Sequence, residues 1–173
     1  SSASVTGHSS QVGGLVGYSH GAVGITNGHY TGNIIIEDEG ESDVEGIGGI
    51  IGGSGSVGLV VSSTVTGDMS ISSDSYSYSV GGIAGYVYDT TSLESVSFSG
   101  NISVSSGQGV QSIGGLVGYS SDGGEISDSA MTGDITVDAG AFIQNGVGGL
   151  LGYDEGGFDI NNSYMTGDIT ATA

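Results

Sequence analysis

The stretch VGGLVGY, from Val12 to Tyr18, decides the fold because the chain repeats it four more times. The other copies, IGGIIGG, VGGIAGY, IGGLVGY and VGGLLGY, begin at Ile47, Val80, Ile113 and Val147. We call this stretch the first box. A second box, such as MTGDI at 131–135, follows each copy, and its glycine lies 18 residues after the second glycine of the first box in every repeat. Such a period indicates an array of stacked structural units.

The repeats contain sequence patterns that are typical of β-strands. After the second box, apolar residues alternate with polar ones, as Ile135 and Val137 do around Thr136, and this period of two predicts half-buried strands. We therefore predict an all-β fold, a parallel β-solenoid of about five repeats of 33–35 residues. It forms a single domain over 1–173, with repeats starting near 12, 47, 80, 113 and 147 and a partial repeat at 1–11. One coil per repeat is favoured, and two smaller coils of about 17 residues are the alternative.

The repeats differ in length in only one half. The 18-residue half is constant, whereas the interval from the second-box glycine to the next first box varies, as between Gly32 and Ile47 and between Gly67 and Val80. The constant half must stack in register on its neighbours. We therefore predict that loops in the other half carry any decoration or specificity.

The charge of the chain is strongly one-sided. It has 19 Asp and Glu residues and neither Lys nor Arg, for a formal net charge of −19. Because phosphate binding relies on Lys and Arg, this composition argues against nucleic acid as a partner. Self-repulsion must be relieved by cations, salt or low pH. The absence of cysteine fits a cytosolic or a prokaryotic surface protein, and no apolar run is long enough to span a bilayer.

The first box resembles the GLUG motif, named for a Gly-Leu-any-Gly sequence. Three copies contain it, at 14–17, 115–118 and 149–152, and Ile replaces Leu in the other two. The second copy departs further, with Gly53 where the others have Tyr. GLUG repeats are similar to segments of bacterial and archaeal surface proteins, including adhesin-like chains and immunoglobulin-cleaving metallopeptidases, where they are non-catalytic. The resemblance implies an extracellular, non-enzymatic repeat protein and transfers no functional residue.

No constellation in the sequence predicts catalysis. His8, His20 and His29 lie in separate segments without the spacing of a zinc site. No G-x-S-x-G elbow joins a strand to a helix, and no pair of carboxylates is isolated as in a glycosidase. We predict no catalytic residue and no cofactor, with calcium as the one alternative.

One dense acidic run could hold calcium, because hard cations prefer several oxygen ligands on a flexible backbone. Its spacing matches neither the EF-hand loop nor the nine-residue calcium-binding repeat, and a solvated acidic loop is the simpler interpretation. The candidate ligands are Glu37, Asp38, Glu39, Glu41, Asp43 and Glu45. Two sequons place possible glycosylation at Asn101 and Asn161, which matters only if the protein is secreted.

Two polar columns follow from the repeat. The residue after the second-box glycine is always Asn or Asp, and we predict a ladder of hydrogen bonds from these side chains to backbone. The column consists of Asn33, Asp68, Asn101, Asp134 and Asp168. The residue before that glycine is Thr in four repeats and Ser99 in the third. Ice-binding solenoids present paired Thr columns, and only one regular column exists here.

The first box is apolar on both faces if it is read as one straight strand. Leu15 and Gly17 then face one way, while Val12, Val16 and Tyr18 face the other, and we predict that Val16 and Tyr18 form an outward column. The outer face must be covered either by the variable loop or by another molecule.

The sequence begins and ends in mid-repeat without a helix, proline or charged run to block the ends. An uncapped solenoid is either a piece of a longer one or stacks on the next copy. We therefore predict a non-enzymatic extracellular structural protein, a subunit or segment of a surface filament or stalk that assembles head to tail. The residues predicted for self-assembly are Ser2, Ser4, Thr6, Val16, Tyr18, Tyr86, Tyr119, Tyr153, Asp168 and Thr170.

The alternative is an adhesin-like binding module. Its variable loops would hold a glycan, bind a surface with calcium, or contact ice. Such a module should remain monomeric and gain thermal stability from its ligand, whereas a filament subunit should self-associate without one.

Overall fold

The chain forms a parallel β-solenoid in which each repeat makes one coil of five short strands. The computed structural model describes residues 5–7, 10–40, 42–56 and 58–173. Within these ranges there are strands, turns and bends but no helix. The prediction of one coil per repeat is therefore confirmed, and the alternative of two smaller coils is excluded.

Equivalent strands of successive coils pair in parallel and build five sheets, which we name A to E in the order in which a coil passes through them. Sheet A contains β1 (Val5–Gly7), β6 (Ile34–Asp38), β11 (Met69–Ser73), β16 (Ile102–Ser106), β21 (Ile135–Ala139) and β26 (Ile169–Thr172). Sheet B contains β2 (Val12–Gly13), β7 (Val44–Gly48), β12 (Tyr76–Gly81), β17 (Gly109–Gly114) and β22 (Ile143–Gly148).

The other three sheets contain one strand from each of the five coils. Sheet C contains β3 (Val16–Ser19), β8 (Ile51–Ser54), β13 (Ala84–Val87), β18 (Val117–Ser120) and β23 (Leu151–Asp154). Sheet D contains β4 (Val23–Thr26), β9 (Gly58–Val61), β14 (Thr91–Glu94), β19 (Gly124–Ser127) and β24 (Phe158–Asn161). Sheet E contains β5 (His29–Thr31), β10 (Thr64–Thr66), β15 (Ser97–Ser99), β20 (Ala130–Thr132) and β25 (Tyr164–Thr166).

The core is a set of apolar columns that run along the solenoid axis. Strand pairing places equivalent residues of successive repeats next to each other, as with Met69, Ile102 and Ile135 in sheet A. These side chains are at most 1% exposed, and Phe98 in sheet E is fully buried. Apolar burial of this kind is the main stabilising contribution to a fold. The repeat period thus sets the register of the core.

The second-box glycine is required by the close approach of successive coils. Gly67 has a φ of 133°, in a region that side chains rarely adopt. A Cβ atom at this position would lie 2.1 Å from the carbonyl oxygen of Gly32 in the preceding coil. Only glycine fits at such a distance.

The first box is a corner and not one straight strand. Each copy crosses from sheet B to sheet C through a bend, which in the fourth coil covers Gly115 and Leu116. Because the chain turns there, Leu116 and Val117 are both fully buried in the same core. The prediction that Val16 faces outward is therefore wrong: Val16 packs against the core.

The length variation lies where it was expected, between the second box and the next first box. The second coil has its extra residues in the connection at 39–43 between β6 and β7. The fifth coil has its extra residue in β22, where the register shifts opposite Gln111 and Ile113. Both insertions leave the core columns in register.

Candidate functional site

A groove runs along the outside of the solenoid where sheets B and C meet, and a residue with left-handed backbone in each coil creates it. In the third coil Ser77 and Val80 both point inward, although residues three apart in a regular strand point to opposite faces. The left-handed backbone of Ser79, with a φ of 55°, forms a bulge that inserts one extra residue between them. The other coils have the same feature at Gln11, Gly46, Ser112 and Asn145. The resulting bulges form one wall of the groove.

Tyrosines from sheet C form the opposite wall. Tyr119 and Tyr153 are stacked, with ring centroids 6.1 Å apart and planes at 21°. Tyr88 lies just after β13 and joins Tyr86 to Tyr119, with centroids 5.3 and 6.0 Å away. We call the continuous series formed by Tyr18, Tyr86, Tyr88, Tyr119 and Tyr153 the tyrosine ladder.

Gly53, the departure from the repeat pattern, is what keeps this ladder continuous. The ring of Tyr86 leans back across Gly53, where an added Cβ would lie 2.4 Å from the ring. This tilt brings Tyr86 to 6.0 Å from Tyr18, and Gln11 Nε2 donates a hydrogen bond to the Tyr86 hydroxyl at 3.0 Å. The missing tyrosine of the second coil is thus replaced by one from the third.

A pocket within this groove has a volume of about 170 Å³. Aromatic rings, amides and one carboxylate line it. The side chains that define it are Glu45, Tyr78, Tyr86, Tyr88, Gln111, Tyr119 and Asn145. Sequence reasoning assigned Glu45 to a calcium site and did not identify Tyr78, Tyr88, Gln111 or Asn145. The tyrosine pairs at 76–78 and 86–88 were the available signal.

The groove is electronegative and its tyrosines are neutral. The pKa of Tyr86 is raised to about 12, first by burial and then by the charges of Tyr18 and Glu45. The pKa of Tyr119 is also raised to about 12. The largest cause is burial, and the hydrogen bond with Glu155 and the charge of Glu155 contribute next. Burial and nearby carboxylates raise the pKa of Tyr78 and Tyr88 as well. All four hydroxyls therefore keep their protons at neutral pH.

The described residues of the acidic run do not form one cluster. Glu37, Asp38 and Glu39 lie near Asp74, whereas Asp43 accepts a hydrogen bond of 2.6 Å from the Ser75 hydroxyl. Glu45 lines the groove instead, and Glu41 lies outside the described residues. Among the described residues, no group of three or more His, Asp or Glu side chains is arranged to hold a metal ion. Calcium binding by this run remains a prediction.

The predicted hydrogen-bond ladder of Asn and Asp side chains is confirmed. Each side chain before Asp168 accepts a bond from the backbone N–H of the equivalent residue in the next coil, as Asn101 Oδ1 does from Asp134 at 2.9 Å. The same bond joins Asn33 to Asp68 at 3.0 Å and Asp134 to Asp168 at 2.9 Å. Because every bond points the same way, the ladder has a polarity along the axis.

The other predicted residues that the structure describes lie apart from the groove. Ser2, Ser4 and His8 are outside the described residues. Thr6 and Thr170 lie in β1 and β26, the two edge strands of sheet A at opposite ends of the solenoid. Asn101 and Asn161 are exposed, and Asn161 donates to Glu125 at 3.2 Å. Glycosylation at either asparagine remains a prediction.

Comparison with known proteins identifies the repeat. Residues 76–103 and 109–136 each match the family model described as the GLUG motif. No curated protein and no solved structure matches the chain. No helix in the described part of the chain has the length and hydropathy to cross a membrane. The two matched segments contain the third and fourth first boxes, which pair in register with the copies before and after them. The third and fourth repeats of the chain therefore match the GLUG motif.

Proposed function

We propose that this chain is a non-catalytic structural segment of an extracellular filament or stalk, extended by stacking of one solenoid end on another. Solenoids built from GLUG repeats typically lack catalytic activity. The apolar columns at the C-terminal end face are the observation that carries the proposal. They are the same columns that form the core, and their side chains in the last coil described are exposed.

The exposure of equivalent residues shows the difference directly. Ile160 and Ile169 are 45% and 44% exposed, whereas Ile126 and Ile135, one coil earlier in the same columns, are fully buried. A further coil stacked on this face would bury both isoleucines in the register used inside the molecule. Burial of apolar surface favours such an association by about 25 cal/mol per Å².

The polar ladder has the direction that head-to-tail stacking requires. The side chain of Asp134 accepts the backbone N–H of Asp168 in the next coil. Asp168 itself is exposed at the end face and offers the same carboxylate to an incoming coil. Head-to-head stacking would bring two such carboxylates together, so the ladder favours one orientation.

Charge opposes the association and makes it sensitive to salt. Two copies that each carry a formal net charge of −19 repel one another at low ionic strength. At about 0.15 M salt the screening length is about 8 Å, and repulsion beyond the contact surface is largely removed. We therefore expect stacking to increase with ionic strength.

Electron microscopy and sedimentation velocity of the purified chain, over a range of salt concentrations, test the proposal. Stacked coils should give unbranched particles whose length increases with salt, with a strand repeat of about 4.8 Å along the axis. Dispersed monomers at every salt concentration would rule out end-to-end assembly.

Two matched variants locate the contact. Ile169→Lys places a charge on the end face and should abolish stacking. Leu59→Lys introduces the same charge at a side chain of nearly the same exposure, 45% against 44%, in β9 of an inner coil, and should stack like the wild type. Both variants reduce the net negative charge by one, so repulsion cannot explain a loss seen only with Ile169→Lys. Equal loss in both variants would contradict an end-face contact.

A further inference from the structure

The groove between sheets B and C combines aromatic faces with uncompensated negative charge. Tyr78, Tyr88 and Tyr119 border it from two sheets, and Glu45 lies in its wall. Glu155 lies beside Tyr119 and shares a hydrogen bond with it. The chain has no Lys or Arg to neutralise these carboxylates. The groove should therefore attract a positively charged ligand.

Aromatic rings attract cations through the electron density of their faces, by about 0.5–1 kcal/mol at exposed sites and more where water is excluded. Guanidinium adds stacking on the ring and five N–H donors in one plane. Acceptors for these donors are present in the carboxylate of Glu45 and the amide oxygens of Gln111 and Asn145. A neutral ligand would use the rings and amides but would gain nothing from the carboxylates.

The groove also has the size and access for such a group. Its volume of about 170 Å³ compares with the roughly 10–15 Å³ that one water molecule needs on the same measure. Tyr88 is 42% exposed at its edge, so one wall can be reached from solvent. The tyrosine ladder continues from it in both axial directions to Tyr18 and Tyr153, which leaves aromatic surface for the residues that flank a bound side chain.

We infer that the groove lined by Glu45, Tyr78, Tyr88 and Tyr119 binds an arginine side chain of a partner protein. The occupant follows from charge complementarity, since the site presents carboxylates and aromatic faces and the whole chain is an anion. This activity is separate from end-to-end stacking, because the groove is on the lateral surface and the end faces take no part in it.

A probe with a single charge tests the site without the general attraction of a polycation to an acidic protein. N-acetyl-arginine methylamide is titrated into the chain at about 0.15 M salt, and binding is followed by NMR of the tyrosine ring protons. We expect saturable shifts confined to the groove tyrosines. N-acetyl-citrulline methylamide, a neutral analogue of the same shape, should bind at least about fivefold more weakly. Equal binding of the two probes would overturn the inference.

Three variants separate the site from the rest of the surface. Tyr119→Leu keeps an apolar side chain but removes the ring, and should weaken arginine binding by about threefold to fivefold. Glu45→Gln removes one charge and should weaken arginine binding but not citrulline binding. Tyr164→Leu removes a tyrosine that is 58% exposed on sheet E, outside the groove, and should have no effect.

The remaining outcomes also decide the question. Circular dichroism of each variant checks that the solenoid is folded. An unchanged affinity in folded Tyr119→Leu and Glu45→Gln would show that arginine binds elsewhere and would overturn the inference. A neutral methyl glycoside that saturates the same tyrosines more tightly than the arginine probe would assign the groove to saccharides instead.

Discussion

Replacing Gly67 by alanine tests the reason for the second-box glycine. The added Cβ would lie 2.1 Å from the carbonyl oxygen of Gly32, so the two coils must separate locally by about 1 Å before normal contact is possible. Backbone at a φ of 133° costs a residue with a side chain about 1–3 kcal/mol. The separation also weakens two hydrogen bonds between coils, from Gly32 N–H to Thr66 O at 2.9 Å and from Gly67 N–H to Ser99 O at 3.0 Å.

At about 1 kcal/mol for each weakened hydrogen bond, the expected loss in the free energy of unfolding is roughly 3–5 kcal/mol. Guanidinium unfolding followed by far-ultraviolet circular dichroism measures it. Gly24→Ala is the matched control, because an added Cβ there meets no atom within 4 Å. Its stability should stay within about 0.5 kcal/mol of the wild type. A loss below about 1 kcal/mol for Gly67→Ala would refute the argument that coil spacing requires this glycine.

Three further results are expected. Phe98→Ala leaves a cavity in the core under sheet E and should lower the free energy of unfolding by about 3–5 kcal/mol, measured by guanidinium unfolding. Leu59→Ala, at a side chain that is 45% exposed, should lower it by less than about 1 kcal/mol. In an alkaline absorbance titration Tyr86 and Tyr119 should ionise only near pH 12, because their pKa is raised to about 12. Raising the salt concentration from about 0.01 to 0.5 M should raise Tm, because screening relieves the repulsion of a chain at net −19.

The sign of the alkaline effect follows from linkage. Tyrosines of the unfolded chain lose their protons near pH 10, whereas Tyr86 and Tyr119 hold theirs in the fold until about pH 12. Their contribution to stability is therefore complete below pH 10 and is lost as the pH rises towards 12. Tyr119→Phe should reduce this loss, and thermal unfolding of both proteins across that range measures it. An identical pH dependence in wild type and variant would contradict the raised pKa of Tyr119.

Each of the other two results has an opposite that would contradict it. Equal losses in Phe98→Ala and Leu59→Ala would show that the apolar columns are not the stabilising core. A Tm that is constant or falls with added salt would show that like-charge repulsion is not a main opposing force in the folded chain.

The sequence was sufficient to predict the stack and its polar ladder. Coils that repeat in register must place equivalent residues next to each other, so the Asn and Asp after each second-box glycine had to meet backbone N–H groups of the next coil. The side chains are short and the coil spacing is fixed, which leaves little freedom. This is why the bond between Asn101 and Asp134 could be predicted from spacing alone.

The first box and the groove could not be predicted in the same way. A period of two assigns faces only along a straight strand, but the chain bends at Gly115–Leu116 and puts two consecutive apolar residues inside. The groove depends on left-handed backbone at Ser79 and Ser112, residue types that do not signal it. The position of Tyr86 over Gly53 depends on the direction in which the Tyr86 side chain leans, which is towards the preceding coil. None of these features is signalled by the alternation of apolar and polar residues.

The order in which the chain passes through the sheets determines how the molecule responds to mechanical force. Each coil is one continuous 33–35-residue stretch, and its strands lie across the axis while their hydrogen bonds lie along it. Tension between two end faces therefore loads all five sheets of a coil interface together. Tension on a chain terminus instead peels one strand at a time from β1 or β26 and releases roughly 110 Å of extended chain per coil. A filament of such coils would resist being pulled apart end to end far better than being unwound from a free terminus.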